Sequence, residues 1–152
     1  MNIEIIAVGR MKKSPEGEIL NTYLKRCPWS VKITEVEERR PIKGVERMAR
    51  EGDLILNAIP NGAIVIALDE RGKEMRSTAF AEKIRNYQDQ GISNLVFLIG
   101  GADGYDLIVK ERAQLKISLG HMTWPHMMVR AMLGEQLYRA STILQGHPYH
   151  KD

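Results

Sequence analysis

All four histidines lie near the C-terminal end of the chain: His121, His126, His147 and His150. Imidazole suits metal binding and proton transfer near neutral pH. No carboxylate or cysteine accompanies these histidines at the spacing that a zinc site requires, so we predict no metal site. The single cysteine, Cys27, has no neighbouring histidine to lower its pKa. We interpret it as a structural thiol.

A glycine-rich turn follows the apolar run in "LVFLIGGADGYD", residues 95–106. Gly100, Gly101 and Gly104 would let main-chain amides approach a ligand. Their GGxxG spacing is neither the GxGxxG of dinucleotide binding nor a P-loop, which argues against redox and NTPase functions. Two interpretations stay open at this point: a ligand-binding loop, or a bare turn with one left-handed residue.

A second irregular connection, "LGHMTWPH", strengthens the ligand-binding interpretation. Together with the glycine turn and the end of "IALD", it predicts three loops that converge on one pocket. Met122 and Trp124 would hold an adenine ring by apolar contact and stacking, or would be core residues.

Strand-like runs alternate with helical segments, which indicates one α/β domain over residues 1–152 with a largely parallel sheet. The predicted strands are "IEIIAVG", "VKITEVE" at an edge, "AIVIALD" at the centre, "NLVFLIG" and the short "KISLG". The predicted helices follow Ser14-Pro15, span "VERMAREGDLILNAI", begin at the cap residues Ser77-Thr78, lie near "DLIVKERAQ", and span "HMMVRAMLGEQLYRASTIL". Phe80, Ile84 and Tyr87 should share one helix face, and "DERGKE" should be a turn. Parallel strands place the three loops at the carboxyl edge of the sheet, where such folds bind ligands.

Composition and charge limit the partners and the location that the protein can have. The 22 Lys and Arg residues against 19 Asp and Glu residues give a net charge of +3, which permits RNA contact without requiring it. No secretory signal opens the chain, and no apolar run approaches the ~18 residues that cross a bilayer. We expect a soluble, cytoplasmic protein.

Four stretches together, "AVGR", "FLIGGADG", "MTWPHMMVRAMLGEQLYRA" and "HPYHK", resemble the ribosomal RNA large subunit methyltransferase H family of the SPOUT superfamily. The resemblance runs from end to end of the chain. It implies S-adenosylmethionine-dependent methylation at N3 of a pseudouridine in bacterial 23S rRNA, with the ribosome as substrate. It also implies a C-terminal trefoil knot, where the sequence alone predicts an ordinary doubly wound sheet.

The resemblance assigns two sets of site residues. The cofactor set is Leu68, Gly100, Gly101, Leu119, Gly120, His121, Met122, Thr123 and Trp124. For the chemistry and the RNA, the predicted catalytic residues are Arg139, Tyr149 and His150, and the predicted RNA-binding residues are Arg139, His147, Tyr149 and Lys151. Tyr149 would stack on a flipped base, while Arg139 and Lys151 would meet a phosphate or a carbonyl. His150 would accept a proton or donate to a phosphate, and both roles stay open.

The resemblance also implies a homodimer. The contact would fall on the helix at residues 127–144, whose apolar positions Met128, Met132, Leu133 and Leu137 exceed what one sheet face readily covers. The alternative is that some of these four residues are simply core. Within that helix Glu135 and Arg139, four residues apart, predict a surface ion pair.

The sequence is compatible with one other function class and argues against a second. A noncatalytic RNA-binding or ribosome-associated module would use the same basic tail but would not bind S-adenosylmethionine. A nucleotide-dependent oxidoreductase would need a phosphate-binding fingerprint after the first strand, and "RMKKSPEG" does not supply one.

Overall fold

The structure is a computed structural model that describes residues 1–151, and Asp152 lies outside the described residues. Strands and helices alternate along these residues, as the sequence predicts. The strands are β1 (Asn2–Val8), β2 (Ser30–Val36), β3 (Ile64–Glu74), β4 (Asn94–Ile99) and β5 (Leu115–Ser118). The helices are α1 (Pro15–Arg26), α2 (Gly44–Ala58), α3 (Ser77–Asp89), α4 (Leu107–Arg112) and α5 (His126–Gln145).

The strands form one parallel sheet in the order β2-β1-β4-β3-β5. The predicted edge position of the second strand is therefore confirmed. The central place belongs to β4 rather than to β3, so the prediction for "AIVIALD" was wrong by one position. Both strands are buried apolar runs, and composition alone does not say which of two such strands lies in the middle.

The predicted turn "DERGKE" was also wrong, because β3 continues through it to Glu74. The pairing with β5 shifts there: Leu68 and Lys73 both pair with Ile117, and residues 69–72 bulge between them. A Cβ atom on Gly72 would lie 2.7 Å from the Ile117 nitrogen, so glycine is required where the two backbones approach. The bulge turns residues 69–71 outward at the carboxyl edge of the sheet.

The helix starts test one capping prediction. α1 begins at Pro15 in the predicted region, and the hydroxyl of its cap residue Ser14 accepts a hydrogen bond from the Gly17 N–H at 3.2 Å. Ser77 does not cap α3, because Arg76 occupies the cap position without a side-chain hydrogen bond. Instead the Ser77 hydroxyl donates to Gln136 Oε1 at 2.8 Å and joins α3 to α5.

Successive strand residues face two cores, one on each side of the sheet. Ile5 and Phe97 pack with residues of α3 and α5, including the predicted stripe Phe80, Ile84 and Tyr87. Ile6 and Leu98 pack on the other face with residues of α2 and α4. The sheet is thus covered on both faces, as its near-continuous apolar strands require. The knot implied by the resemblance stays a prediction.

The long helix α5 belongs largely to the core. Leu133 and Leu137 are fully buried within the chain, so the prediction that they serve a dimer contact was wrong for these two. Met128 is exposed and Met132 is half-buried. Of the four apolar positions predicted to contact a second copy, only these two methionines therefore remain accessible on α5.

Candidate functional site

Three loops meet at the carboxyl edge of the sheet and enclose a cleft of about 490 Å³. They are the bulge of β3, the glycine turn after β4 and the segment after β5, and they are joined by the first turn of α5. Of the predicted cofactor residues, eight line the cleft: Leu68, Gly100, Gly101, Leu119, Gly120, Met122, Thr123 and Trp124. His121 is not among the lining residues; its Nε2 atom lies 3.3 Å from Glu74 Oε1 on the surface.

The glycine turn is packed tightly from behind. A Cβ atom on Gly100 would lie 3.1 Å from the Tyr105 ring, and one on Gly101 would lie 3.0 Å from both Glu51 Oε1 and Val8 Cγ1. Gly104 has the left-handed φ of +81°, and its N–H donates to the Gly101 carbonyl at 3.0 Å. The turn therefore presents main chain to the cleft, and side chains at Gly100 and Gly101 would be opposed by close packing rather than by φ.

Tyr105 supports the floor of the cleft and was missed from the sequence. Its ring is buried, and its hydroxyl lies 2.7 Å from the Leu98 carbonyl and 3.0 Å from the Leu68 carbonyl. Burial raises the pKa of this phenol, so it stays a hydrogen-bond donor. The tyrosine fixes the ends of β4 and β3 relative to each other. An aromatic residue with a polar tip directly after a glycine turn was the available signal.

The segment after β5 is held by short-range hydrogen bonds. The Ser118 hydroxyl accepts from the Gly120 N–H at 3.1 Å and lies 3.1 Å from the Glu70 carbonyl. Thr123 donates to the Glu70 carboxylate at 3.1 Å. Met122 and Trp124 remain 76% and 37% exposed, which rules out their interpretation as core residues. Two large apolar side chains thus stand at the mouth of the cleft.

A buried carboxylate lies behind the glycine turn. Glu51, on α2, is 3% exposed, and its Oε2 atom pairs with Arg47 Nε at 3.2 Å. Its Oε1 atom has no hydrogen-bond partner within residues 1–151. Burial raises the pKa of Glu51, although the nearby Arg47 guanidinium opposes that effect. Nothing in the local sequence distinguishes this glutamate from those on exposed helix faces.

The C-terminal tail folds back onto α5 around Glu135. The carboxylate accepts from Arg139 Nη2 at 2.5 Å and Nε at 2.8 Å, and from the Tyr149 hydroxyl at 3.0 Å. Arg139 Nη1 lies 3.0 Å from His150 Nδ1, and the guanidinium stacks 4.9 Å from the Tyr149 ring centre. The Tyr149 ring also meets Tyr138 edge-on at 4.8 Å. We call Glu135, Arg139, Tyr149 and His150 the tail cluster. The predicted surface pair is therefore part of a larger, half-buried network.

Two further predicted residues lie at the rim of this cluster. His147 is exposed, and its Nδ1 atom accepts from the Tyr149 N–H at 3.1 Å. Lys151 is exposed. The structure therefore brings the predicted catalytic set together and leaves the predicted phosphate contact accessible.

The tail cluster and the cleft are separate in one chain. Neither Tyr149 nor His150 lines the cleft. Val129 of α5 does, and Arg139 lies ten residues further along the helix, which corresponds to about 15 Å of axial rise. A second, mostly apolar groove of about 700 Å³ shares Leu119 and Gly120 with the cleft and extends to Glu135. The groove therefore connects the cleft with Glu135 of the tail cluster along the surface.

The remaining features that bear on function are possible metal ligands, the single cysteine and the apolar character of the helices. Within residues 1–151 no group of three or more His, Cys, Asp or Glu side chains is arranged to hold a metal ion. Cys27 is buried, and burial raises the pKa of its thiol, in agreement with a structural role. None of the helices in the described part of the chain is long and apolar enough to cross a membrane.

Comparison with known proteins adds independent information. The sequence model of a family described as "Predicted SPOUT methyltransferase" matches residues 1–150. A protein of Paramagnetospirillum magneticum named ribosomal RNA large subunit methyltransferase H is 49% identical over 151 residues, covering 99% of both chains. A protein of the same name from Zymomonas mobilis is 46% identical over 152 residues, covering 100% of this chain and 99% of its own.

A solved structure shares the fold. It is described as a probable methylase family protein from Haemophilus influenzae, and it aligns with a TM-score of 0.59 at 11% identity. The alignment covers 99% of this chain and 70% of the other. At that identity the likeness concerns the architecture alone.

Proposed function

Because the chain belongs to the SPOUT methyltransferase family, we propose that it transfers a methyl group from S-adenosylmethionine to N3 of a pseudouridine in 23S rRNA. The observation that carries this proposal is the three-loop cleft, walled by main chain and open at Met122 and Trp124. The printed name of the relatives supports large-subunit ribosomal RNA as the substrate. A protein that modifies ribosomal RNA would work in the cytoplasm.

The cleft fits S-adenosylmethionine in size and chemistry. Its volume of about 490 Å³ lies within the ~300–1,000 Å³ of small-molecule sites. Met122 and Trp124 would pack against the adenine, and the main chain of the glycine turn would hold the polar remainder. The lining carboxylates complement a positively charged ligand and outnumber the lining Lys and Arg cations; they are Asp69, Glu70 and Asp103, against Arg71 and Lys110. When bound, the cofactor supplies an electrophilic methyl group on its sulfonium.

The residues of the tail cluster would position the RNA base, and its N3 proton would pass to solvent water. Alignment of the base nitrogen with the methyl group accounts for most of the catalytic demand, because the step is an in-line displacement. Arg139 is positively charged at all relevant pH values and would stabilise the negative charge that develops as N3 loses its proton. Tyr149 would stack on the base.

The contact between Arg139 and His150 favours one of the two roles left open for the histidine. A guanidinium only donates, so His150 Nδ1 must accept the hydrogen bond at 3.0 Å. In the neutral ring the proton then resides on Nε2. His150 would accordingly meet the RNA as a hydrogen-bond donor rather than as the base that takes the N3 proton.

We also propose that the working form is a homodimer. In one chain Arg139 of the tail cluster lies about 15 Å along α5 from Val129 at the cleft, and neither Tyr149 nor His150 lines the cleft. A second copy would therefore be needed to bring these tail side chains over a cleft. The exposed Met128 and half-buried Met132 offer the apolar flank for such a contact. Light scattering tests it: a mass near 17.3 kDa at micromolar concentration would contradict a dimer.

Mass spectrometry of rRNA fragments tests the activity. Cells that lack the gene should lose one methyl group from one 23S rRNA fragment. The purified protein with S-adenosylmethionine should restore it on ribosomes from those cells. If calorimetry of the folded protein shows no affinity for S-adenosylmethionine, the noncatalytic RNA-binding module is the correct interpretation instead.

A further inference from the structure

One arginine is buried outside the cleft and the tail cluster. Arg130 of α5 is 1% exposed, and its Nη1 atom pairs with Glu35 Oε2 at 2.5 Å. Its Nη2 atom donates to the Gly9 carbonyl at 2.7 Å and lies 3.2 Å from the Val8 carbonyl. Burying a guanidinium is unfavourable unless its partners are well placed, and here they are the end of β1 and a carboxylate of β2. Arg130 therefore fixes the point at which the chain leaves β1.

The same carboxylate fixes the loop that follows. Glu35 Oε2 also accepts a hydrogen bond from the Met11 N–H at 2.6 Å. Partial burial raises the pKa of Glu35, but the bonds from Met11 and Arg130 outweigh it, and the net shift is downward. Glu35 is therefore ionised at neutral pH. The β1–α1 loop is thus anchored at Gly9 and at Met11, and the residues between and after these points are presented in a defined position.

The side chains that this loop presents are cations. Arg10, Lys12 and Lys13 are exposed, and none of them forms an ion pair within residues 1–151. By contrast, the exposed Arg40 of the neighbouring β2–α2 connection pairs with Glu38 at 2.7 Å. Three exposed cations in four residues repel one another, and this repulsion is relieved by a bound anion.

Nearby carboxylates leave this positive charge in place. Glu35 interacts with Arg10 at longer range, but it is committed to Arg130 and to the Met11 N–H. Glu16 and Glu18 lie in the first turn of α1 and do not reach the loop cations as ion pairs. The loop therefore keeps a local positive field while the whole chain carries only +3.

The loop lies beside the cleft. Ala7 pairs with Ile99 in the sheet, so β1 ends next to the glycine turn, at the ~4.8 Å spacing of neighbouring strands. Val8 packs directly against Gly101. The cations thus stand along the carboxyl edge on the β1 side of the cleft, where the backbone of an RNA whose base enters the cleft would pass.

We propose that Arg10, Lys12 and Lys13 form a docking surface for the phosphates of the substrate RNA, held in position by the Arg130–Glu35 pair. This surface rests on the proposed function, because it presupposes an RNA substrate at the adjoining cleft. It contacts phosphate rather than bases, so it contributes affinity and orientation without reading sequence.

The test is the double variant Lys12→Gln/Lys13→Gln, assayed for binding to ribosomes from cells that lack the gene. Loss of two phosphate contacts should weaken binding roughly 10- to 30-fold at about 0.15 M salt. The slope of log affinity against log salt should fall by about 1.4 to 1.8. Turnover at saturating ribosomes and affinity for S-adenosylmethionine should stay at the wild-type level.

The matched control is Lys25→Gln/Lys32→Gln, which removes the same charge from exposed lysines at the end of α1 and on the edge strand. It should bind ribosomes like the wild type. An equal loss in the control would mean that net charge alone matters and would overturn the docking surface. Weakened binding to ribosomes together with unchanged binding to protein-free 23S rRNA would assign the loop to a ribosomal protein and would also overturn it.

Failure of the function itself gives a different result. If the wild-type protein methylates no ribosomal RNA, the proposed function is wrong. If the wild type methylates and the Lys12/Lys13 variant matches it in affinity and salt slope, only the docking surface is wrong.

Discussion

The three-loop cleft and the tail cluster lie toward opposite ends of α5 and are built from different parts of the chain. The cleft is made of main chain: loops that follow three parallel strands, with Gly100, Gly101 and Gly120 among the lining residues. The tail cluster is made of side chains: Arg139 of α5 and Tyr149 of the tail bind the Glu135 carboxylate, and His150 contacts Arg139. A main-chain site is positioned by the sheet, whereas a side-chain site depends on each partner being present.

Their electrostatics differ in the same way. In the tail cluster the Glu135 carboxylate receives hydrogen bonds from Arg139, Tyr149 and Gln136. Behind the cleft the Glu51 carboxylate has one cationic partner, and its Oε1 atom has none within residues 1–151. The tail is therefore satisfied within one chain, while the cleft region retains a buried charge that is only partly compensated. If the two regions are truly independent, variants should separate cofactor binding from methyl transfer.

The largest expected effect comes from deleting residues 147–152. The deletion removes Tyr149 and His150 from the tail cluster but leaves every residue that lines the cleft. We expect methylation of ribosomes to fall at least ~100-fold, as when a positioning group for the reacting atoms is lost. Calorimetry should give an S-adenosylmethionine affinity within about threefold of wild type, which is well under the 1.4 kcal/mol of a tenfold change.

Two results would contradict the prediction that cofactor binding and methyl transfer depend on different regions. A deletion protein that methylates at the wild-type rate would show that the tail is dispensable and would move the catalytic assignment to Arg139 and α5. A deletion protein that no longer binds the cofactor would show that the cleft depends on the tail. Circular dichroism is needed beside both measurements to establish that the variant is folded.

The second effect, on the cleft, comes from Gly101→Val. Its Cβ atom would lie 3.0 Å from both Glu51 Oε1 and Val8 Cγ1, so either these side chains or the turn must give by a few tenths of an ångström. We expect the turn to move, because it borders the open cleft. Displacing the main chain by a fraction of an ångström should weaken S-adenosylmethionine binding at least ~10-fold, or about 1.4 kcal/mol. Calorimetry on the folded variant measures it.

Gly91→Val is the control for that substitution. Gly91 lies in the turn between α3 and β4, at the opposite edge of the sheet, with no atom within 4 Å of a new Cβ. Its φ of +80° makes the substitution strained, so the control also reports what a general loss of stability does to binding. If Gly101→Val binds the cofactor as Gly91→Val does, the glycine turn is only a turn.

A smaller effect is expected at Tyr149, where two variants divide the role of one side chain. Tyr149→Ala removes the ring and should cost about 1–3 kcal/mol of stacking with a base. Tyr149→Phe keeps the ring and removes the hydroxyl that donates to Glu135, a bond worth about 1 kcal/mol. Ribosome binding should therefore suffer clearly in the alanine variant and little in the phenylalanine variant. Equal losses in both would mean that the hydroxyl, and not stacking, is what matters.

The cleft was more predictable from the sequence than the tail cluster. A glycine turn after a buried strand indicates a ligand loop by local pattern and sheet geometry alone, and the three loops do converge. The roles of Tyr149 and His150 came only from family resemblance. Their network with Glu135 depends on how the tail folds back, and no local periodicity encodes that.

The remaining misses have one physical cause, which is contact between residues far apart in the chain. The extension of β3 depends on pairing with β5 at Gly72, and the order of β4 and β3 depends on non-local register. Arg130 of α5 pairs with Glu35 of the edge strand β2, 95 positions earlier in the sequence. Burial of Glu51 is a further case, since its helix residues alone look like any amphipathic segment. Propensity and capping rules act over a few residues and do not reach these pairings.

The smallest expected effect comes from Glu51→Gln, which tests how well the buried carboxylate behind the cleft is compensated by Arg47. Burial raises the pKa of Glu51 in the folded state, with Arg47 opposing, so the fold binds this proton more tightly than the unfolded chain does. The stability that this contributes is complete below the unfolded-state pKa and is lost as the pH rises through the folded-state pKa. Glutamine is neutral throughout, so the free energy of unfolding of the variant should rise relative to that of the wild type as the pH increases from about 4 to about 8.

Urea unfolding at both pH values measures the difference, and Glu46→Gln, at an exposed carboxylate on the same helix, should show no such trend. A variant that instead loses stability relative to wild type toward high pH would mean that the Arg47 pair outweighs burial, and the charge behind the cleft would then be as well compensated as that of the tail cluster.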